Sequence, residues 1–228
     1  MSNYCYKINK TDSDTLIVSF AGNDRIFGGI QRFEFINFLS KHFENVDKHF
    51  YVDKFANTYH EGIDGISKTI DETLEYLKGD VEKYKNVIFI GVSAGGYAAI
   101  LFGSLLNINS VLAFIPPTLR RDKNIDEKYR DISQYINNNT KYYLYGDLSV
   151  KDVLDCHHIS HCERIAHHSN VFVIKKPNLE LKKLRDNGEL FTILNSLVIM
   201  QYPKIENYTI PNNKNIIRNT MNSILKNI

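Results

Sequence analysis

The 228-residue chain sets 28 lysines and arginines against 26 acidic residues, a formal charge of +2. That is too even for the electrostatic footprint of a nucleic-acid or anionic-membrane binder. No apolar run approaches the ~20 residues that span a bilayer, and Cys5, Cys156 and Cys162 are too few and too unevenly placed for a disulfide framework. With no basic segment and apolar core at its start, the chain is expected to be soluble and cytoplasmic, a domain burying roughly 70% of its extended surface.

Residues 15–20, TLIVSF, read as a buried strand ending at Ala21-Gly22-Asn23, before a loop containing Gly28 and Gly29. Phe33, Ile36, Phe38, Leu39 and Phe43 recur at helical spacing, and residues 50–55, FYVDKF, read as the next strand. Residues 53–65 form a polar loop carrying His60 and Glu61. If its strand is parallel to the others, this loop lies above their carboxyl ends, where side chains line pockets; otherwise His60 is solvated or structural. Ile66, Ile70, Leu74 and Leu77 then predict an amphipathic helix ended by Gly79.

Residues 86–103, NVIFIGVSAGGYAAILFG, are the most informative stretch. An apolar, β-branched run leads into Gly91-Val92-Ser93-Ala94-Gly95, and small and apolar residues follow in helical register. This fits G-x-S-x-G, the elbow that holds a serine hydroxyl above a sheet on a strained strand-to-helix turn. The flanking glycines suit positions where strand and helix backbones nearly touch.

Residues 110–115 read as another buried strand, stopped by Pro116-Pro117 because proline cannot donate to a ladder. Residues 120–140 are charged and then asparagine-rich, with a weak helix near 126–136, and suggest a short cap. A strand at 141–145 ends at Gly146-Asp147, and a helix is expected to carry Asp152, Asp155 and the cluster CHHISHC at 156–162. A last strand at 170–175 and a helix at 179–200 follow. This alternation predicts an α/β fold, a mostly parallel sheet flanked by helices, over residues 1–203. In the tail, 204–228, Ile217, Met221, Ile224 and Ile228 form an apolar stripe that either docks on its own domain or makes a homodimer contact.

A serine hydroxyl becomes a nucleophile when a histidine accepts its proton and a carboxylate holds that histidine. Ser93 fits the first role, and Asp147, Asp152 and Asp155 are available for the third. Backbone N–H groups of Ala94 and of Ala21, Gly22 or Asn23 could bind the developing oxyanion. On a helix, His157 with His161 and His158 with Cys162 would be i, i+4 pairs suited to zinc. No second ligand cluster is visible, so neither a metal nor a cofactor is expected.

The chain resembles the α/β-hydrolase superfamily. More narrowly, it resembles small bacterial members found among surface-polysaccharide proteins, a group that includes capsule O-acetyltransferases. The matching pieces are GVSAGGYAA around Ser93, DKFANTYHEGIDG at 53–65, FIPPT at 114–118 and LRDNGEL at 184–190, within about residues 14 to 197. Only the first is specific to a chemistry. The resemblance implies a serine esterase or O-acyltransferase acting on a glycan ester or another small acyl ester. It lays the acid on Asp155, within Asp155-Cys156-His157-His158, or one turn later, with His158 where the carboxylate belongs. The histidine of relatives falls on Asn178, and no histidine follows His168, so the usual serine, aspartate, histidine order is not expected to be completed. Either His60, His157, His158, His161, His167 or His168 has moved in as base, or the chain is a degenerate hydrolase serving as a binding or scaffolding module.

Overall fold

The computed structural model describes residues 3–10, 12–23, 26–27, 30–31, 33–122 and 125–199. Along the chain run β1 (Cys5–Ile8), β2 (Thr15–Phe20), a hairpin of β3 (Ile26–Phe27) and β4 (Ile30–Gln31), α1 (Ile36–His42), β5 (Asp47–Tyr51), α2 (Ile70–Val81), β6 (Asn86–Val92), α3 (Ala94–Leu105) and β7 (Ser110–Phe114). Two 3-10 turns, Glu127–Tyr129 and Ile132–Tyr135, precede β8 (Lys141–Asp147), α4 (Ser160–Glu163), β9 (Val171–Lys176), α5 (Leu181–Asp186) and α6 (Glu189–Ile199).

The main sheet has the order β1-β5-β2-β6-β7-β8-β9. Its strands are parallel except β1, which runs antiparallel to β5. β2 and β7 are buried along their whole length, as continuous apolar runs in a covered parallel sheet should be. Phe20 lies at the centre of the core, against Tyr51, Tyr59, Phe89 and Phe102. Residues 94–104 of α3 are all buried, which is why that helix is apolar all round.

Several elements depart from the sequence expectation. β5 begins three residues before the strand expected at 50–55, because its polar side chains find partners inside the fold. Lys48 Nζ donates to the Phe43 carbonyl at 2.6 Å, His49 Nε2 lies 2.9 Å from Asn9 Oδ1, and Asp47 accepts from Tyr84 Oη at 2.6 Å. Buried polar groups with partners are tolerated where unpaired ones are not. The strand stops because the Asp53 carboxylate gathers the N–H groups of Phe55, Asn57 and Tyr59 and turns the chain. α2 starts at a Thr69 cap, whose hydroxyl accepts from Glu72 N–H, and runs through Gly79 to Val81.

The region expected to hold a weak helix forms the two 3-10 turns, tied down by a bidentate Arg164–Asp131 pair at 2.9 and 2.8 Å. The helix expected over the histidine cluster is only the single turn α4; residues 150–158 form no helix. The chain divides into two compact units, Met1–Leu179 and Glu180–Ile228. In the second, the helix expected at 179–200 is broken into α5 and α6 at Gly188, whose φ is 81°. The tail stripe and the boundary expected at 203 lie outside the described residues. Among the described residues, no helix is long and apolar enough to cross a membrane.

Candidate active site

Ser93 stands between β6 and α3 with φ 52° and ψ −118°, a conformation that L-residues adopt only where the surroundings enforce it. Its N–H donates to the Phe114 carbonyl at 2.9 Å, and its own carbonyl accepts from Tyr97 N–H at 3.0 Å. The flanking glycines are required by contact. A Cβ on Gly91 would lie 2.1 Å from the Gly95 carbonyl oxygen, and one on Gly95 would lie 2.0 Å from that of Phe20. The end of β2 thus packs directly on the first turn of α3.

Close approach also brings Gly22 to the serine: a Cβ there would be 3.9 Å from Ser93 Cβ. Ala21 N–H is already donated to the Tyr51 carbonyl at 3.0 Å, so Ala21 is removed as an oxyanion donor. Ala94 opens α3, where a backbone N–H has no acceptor within the helix. Asn23 is exposed.

The imidazole at the serine is that of His157. Ser93 Oγ lies 2.7 Å from His157 Nε2, and His157 Nδ1 lies 3.6 Å from Asp155 Oδ1. The same carboxylate oxygen accepts the backbone N–H of His157 at 2.8 Å. Asp155 in turn follows a tight turn in which its N–H donates to the Asp152 carbonyl and the Asp152 side chain accepts from Leu154 N–H. Short aspartates that capture nearby N–H groups favour such turns over helix. That preference is legible in the spacing of Asp152, Asp155 and His157, and it is why these residues do not present a helical face. The order serine, aspartate, histidine is kept along the chain, compressed at its end into Asp155-Cys156-His157.

Two others of the six candidate histidines, His158 and His60, face elsewhere. His158 Nδ1 accepts from Ser160 N–H at 3.2 Å and lies 2.9 Å from Ser160 Oγ, at the start of α4. His60 Nδ1 accepts from Asp126 N–H at 3.1 Å, which leaves its proton on Nε2, 3.0 Å from Tyr97 Oη. Burial drives the His60 pKa down to about 4. It therefore stays neutral and clamps α3 to the segment before the first 3-10 turn. His161 is also core: its Nδ1 accepts from Thr118 N–H at 3.0 Å, and burial lowers its pKa to about 4.

Asp147, another of the acids expected, is occupied differently. Its Oδ2 accepts from Leu179 N–H at 3.1 Å and its Oδ1 from Ser149 N–H at 2.8 Å. Burial raises its pKa, but these donors and the Asn178 N–H outweigh that and lower it. Asn178 sits in the left-handed region at φ 53°, one that asparagine tolerates better than most residues. Asp147 thus fastens the loop carrying Asn178.

The i, i+4 metal pairs do not form, since the helix they need is absent. Instead, ligand atoms of Asp155, Cys156 and His157 all lie within 4.8 Å of one another. Cys156 is half-buried, and that burial raises its thiol pKa.

No protein-family model and no curated protein matches the chain. Solved structures do. A capsule O-acetyltransferase of Neisseria meningitidis serogroup A, in complex with CoA, superimposes with a TM-score of 0.59 at 14% identity, over 85% of this chain and 92% of that one. An α/β-hydrolase enzyme from a Medee basin deep-sea metagenome library gives 0.57 at 13%, over 91% and 96%. An esterase of Pyrococcus furiosus gives 0.53 at 16%, over 88% and 86%. The likeness is one of fold, and the fold is that of the α/β hydrolases.

Proposed function

We propose that the chain is a serine-nucleophile esterase or O-acyltransferase in which Ser93 is acylated, His157 is the general base and Asp155 orients it. The observation that carries this reading is the 2.7 Å contact between Ser93 Oγ and His157 Nε2 at an elbow serine. Ser93 Oγ attacks the ester carbonyl carbon while its proton passes to His157 Nε2. The carbonyl electron pair moves onto oxygen, where the N–H of Ala94 and that of Gly22 or Asn23 stabilise it. Collapse expels the alcohol, which leaves with the proton from His157. Water or a sugar hydroxyl, deprotonated by the same nitrogen, then takes the acyl group. Asp155 favours the Nδ1–H tautomer and offsets the imidazolium charge. A glycan hydroxyl as acceptor is supported by the likeness to a capsule O-acetyltransferase.

A fluorophosphonate probe should label the wild type at Ser93 and spare Ser93→Ala, and only the wild type should hydrolyse p-nitrophenyl acetate. Equal labelling of both proteins overturns the assignment of the nucleophile. Absence of labelling and turnover in the wild type replaces the enzyme by a binding module on the same fold.

A further inference from the structure

We propose that Asp155, Cys156 and His157 form a zinc site whose occupancy switches Ser93 off, an inference that rests on the reading of His157 as base. The three offer a carboxylate oxygen, a sulfur and an imidazole nitrogen, the donor set Zn2+ takes at about 2.0–2.2, 2.3 and 2.0–2.1 Å. Around a tetrahedral ion such donors stand roughly 3.3–3.6 Å apart. Here all three lie within 4.8 Å of one another, and Asp155 Oδ1 and His157 Nδ1 are 3.6 Å apart. The nitrogen and oxygen are already at ligand spacing, and the sulfur has only to close in from within 4.8 Å. Asp155 and His157 side chains are 44% and 35% exposed, which leaves an entry path and room for water as fourth ligand.

Because His157 Nε2 faces Ser93 Oγ, Nδ1 is the nitrogen available to the metal. A neutral imidazole carries one proton, and metal on Nδ1 leaves that proton on Nε2. The nitrogen that should accept the serine proton then holds one of its own and donates instead. Binding releases the Cys156 thiol proton to solvent, so charge and protons balance without a further reactant. This departs from the expectation of no metal, which weighed helical pairs that the chain does not form.

The test titrates the full chain with Co2+ as a spectroscopic stand-in and with Zn2+, alongside fluorophosphonate labelling. The wild type should bind one Co2+ with a thiolate-to-metal absorption band that Zn2+ abolishes. Zn2+ should slow Ser93 labelling by roughly tenfold or more, and EDTA should restore it. Cys156→Ala should label at the wild-type rate without metal but lose metal affinity and protection by roughly tenfold or more; Cys156→Ser repeats the test should the first variant fold poorly. Ser93→Ala should keep the band. No band, equal affinity in the Cys156 variants, or binding that leaves labelling unchanged overturns the proposal. If the metal-free wild type is not labelled, the base reading and the switch fall together, while the band still decides whether the three residues bind metal.

Discussion

His157 touches Ser93 at hydrogen-bond distance, but its acid partner is held less closely. At 3.6 Å and 44% exposed, Asp155 would orient the ring, in the proposed mechanism, through a contact that water screens. The two residues should therefore differ in weight. His157→Ala should lower p-nitrophenyl acetate hydrolysis by about 10²–10⁴-fold, the range a general base supplies, and Asp155→Asn by only roughly tenfold. Equal losses would mean that the carboxylate closes on Nδ1 during the reaction. Asn178→His tests the position on which the sequence resemblance lays the histidine. Since Ser93 Oγ is already engaged and the loop of Asn178 is fastened to Asp147, its rate should stay within roughly threefold of wild type, far below what a base gives. A tenfold rise would assign the base to that loop.

At the scale of elements, the turn from β6 into α3 exists because two side chains are missing. Gly91→Ala and Gly95→Ala each drive a methyl into backbone, at 2.1 and 2.0 Å. Backbone cannot rotate away as a side chain can, so each should cost about 3 kcal/mol or more in urea unfolding, at or beyond the usual range for overpacking. Gly79→Ala is the control. It lies within α2, where a Cβ meets nothing within 4 Å, so the exchange should stabilise by about 0.5–1 kcal/mol. Destabilisation at Gly79, or tolerance at Gly91 and Gly95, would contradict this account of the elbow.

For the folded molecule, the buried imidazoles His60 and His161 set a pH dependence. Unfolded, each takes a proton near pH 6.5; folded, burial holds each neutral down to about pH 4. Between these values the unfolded chain binds more protons, so stability is full above pH 6.5 and falls as the pH drops towards 4. Each tenfold difference in proton affinity is worth ~1.4 kcal/mol, so the loss should be on the order of 3 kcal/mol per ring. It is read as a lower urea midpoint at pH 4.5 than at pH 7.5, and a flat profile would show that both rings are solvated.

The parallel α/β architecture and the elbow follow from the amino-acid sequence alone, because both are written in local patterns: continuous apolar runs for buried strands, and glycines on either side of Ser93. The glycine at 95 is legible even though its contact, the Phe20 carbonyl of a neighbouring strand, is not local. Which histidine meets the serine depends on the tertiary structure. Six imidazoles have the right chemistry, and the choice rests on contact: His157 meets Ser93, whereas His60 is held by Asp126 and Tyr97, His158 by Ser160, His161 by Thr118, and His167 and His168 pack on each other. The same holds for β5, whose buried Asp47, Lys48 and His49 read as polar until their partners in other segments are in place. Periodicity reports the average environment of a segment. The pairing of polar groups is settled one contact at a time, mostly by residues far apart in the chain.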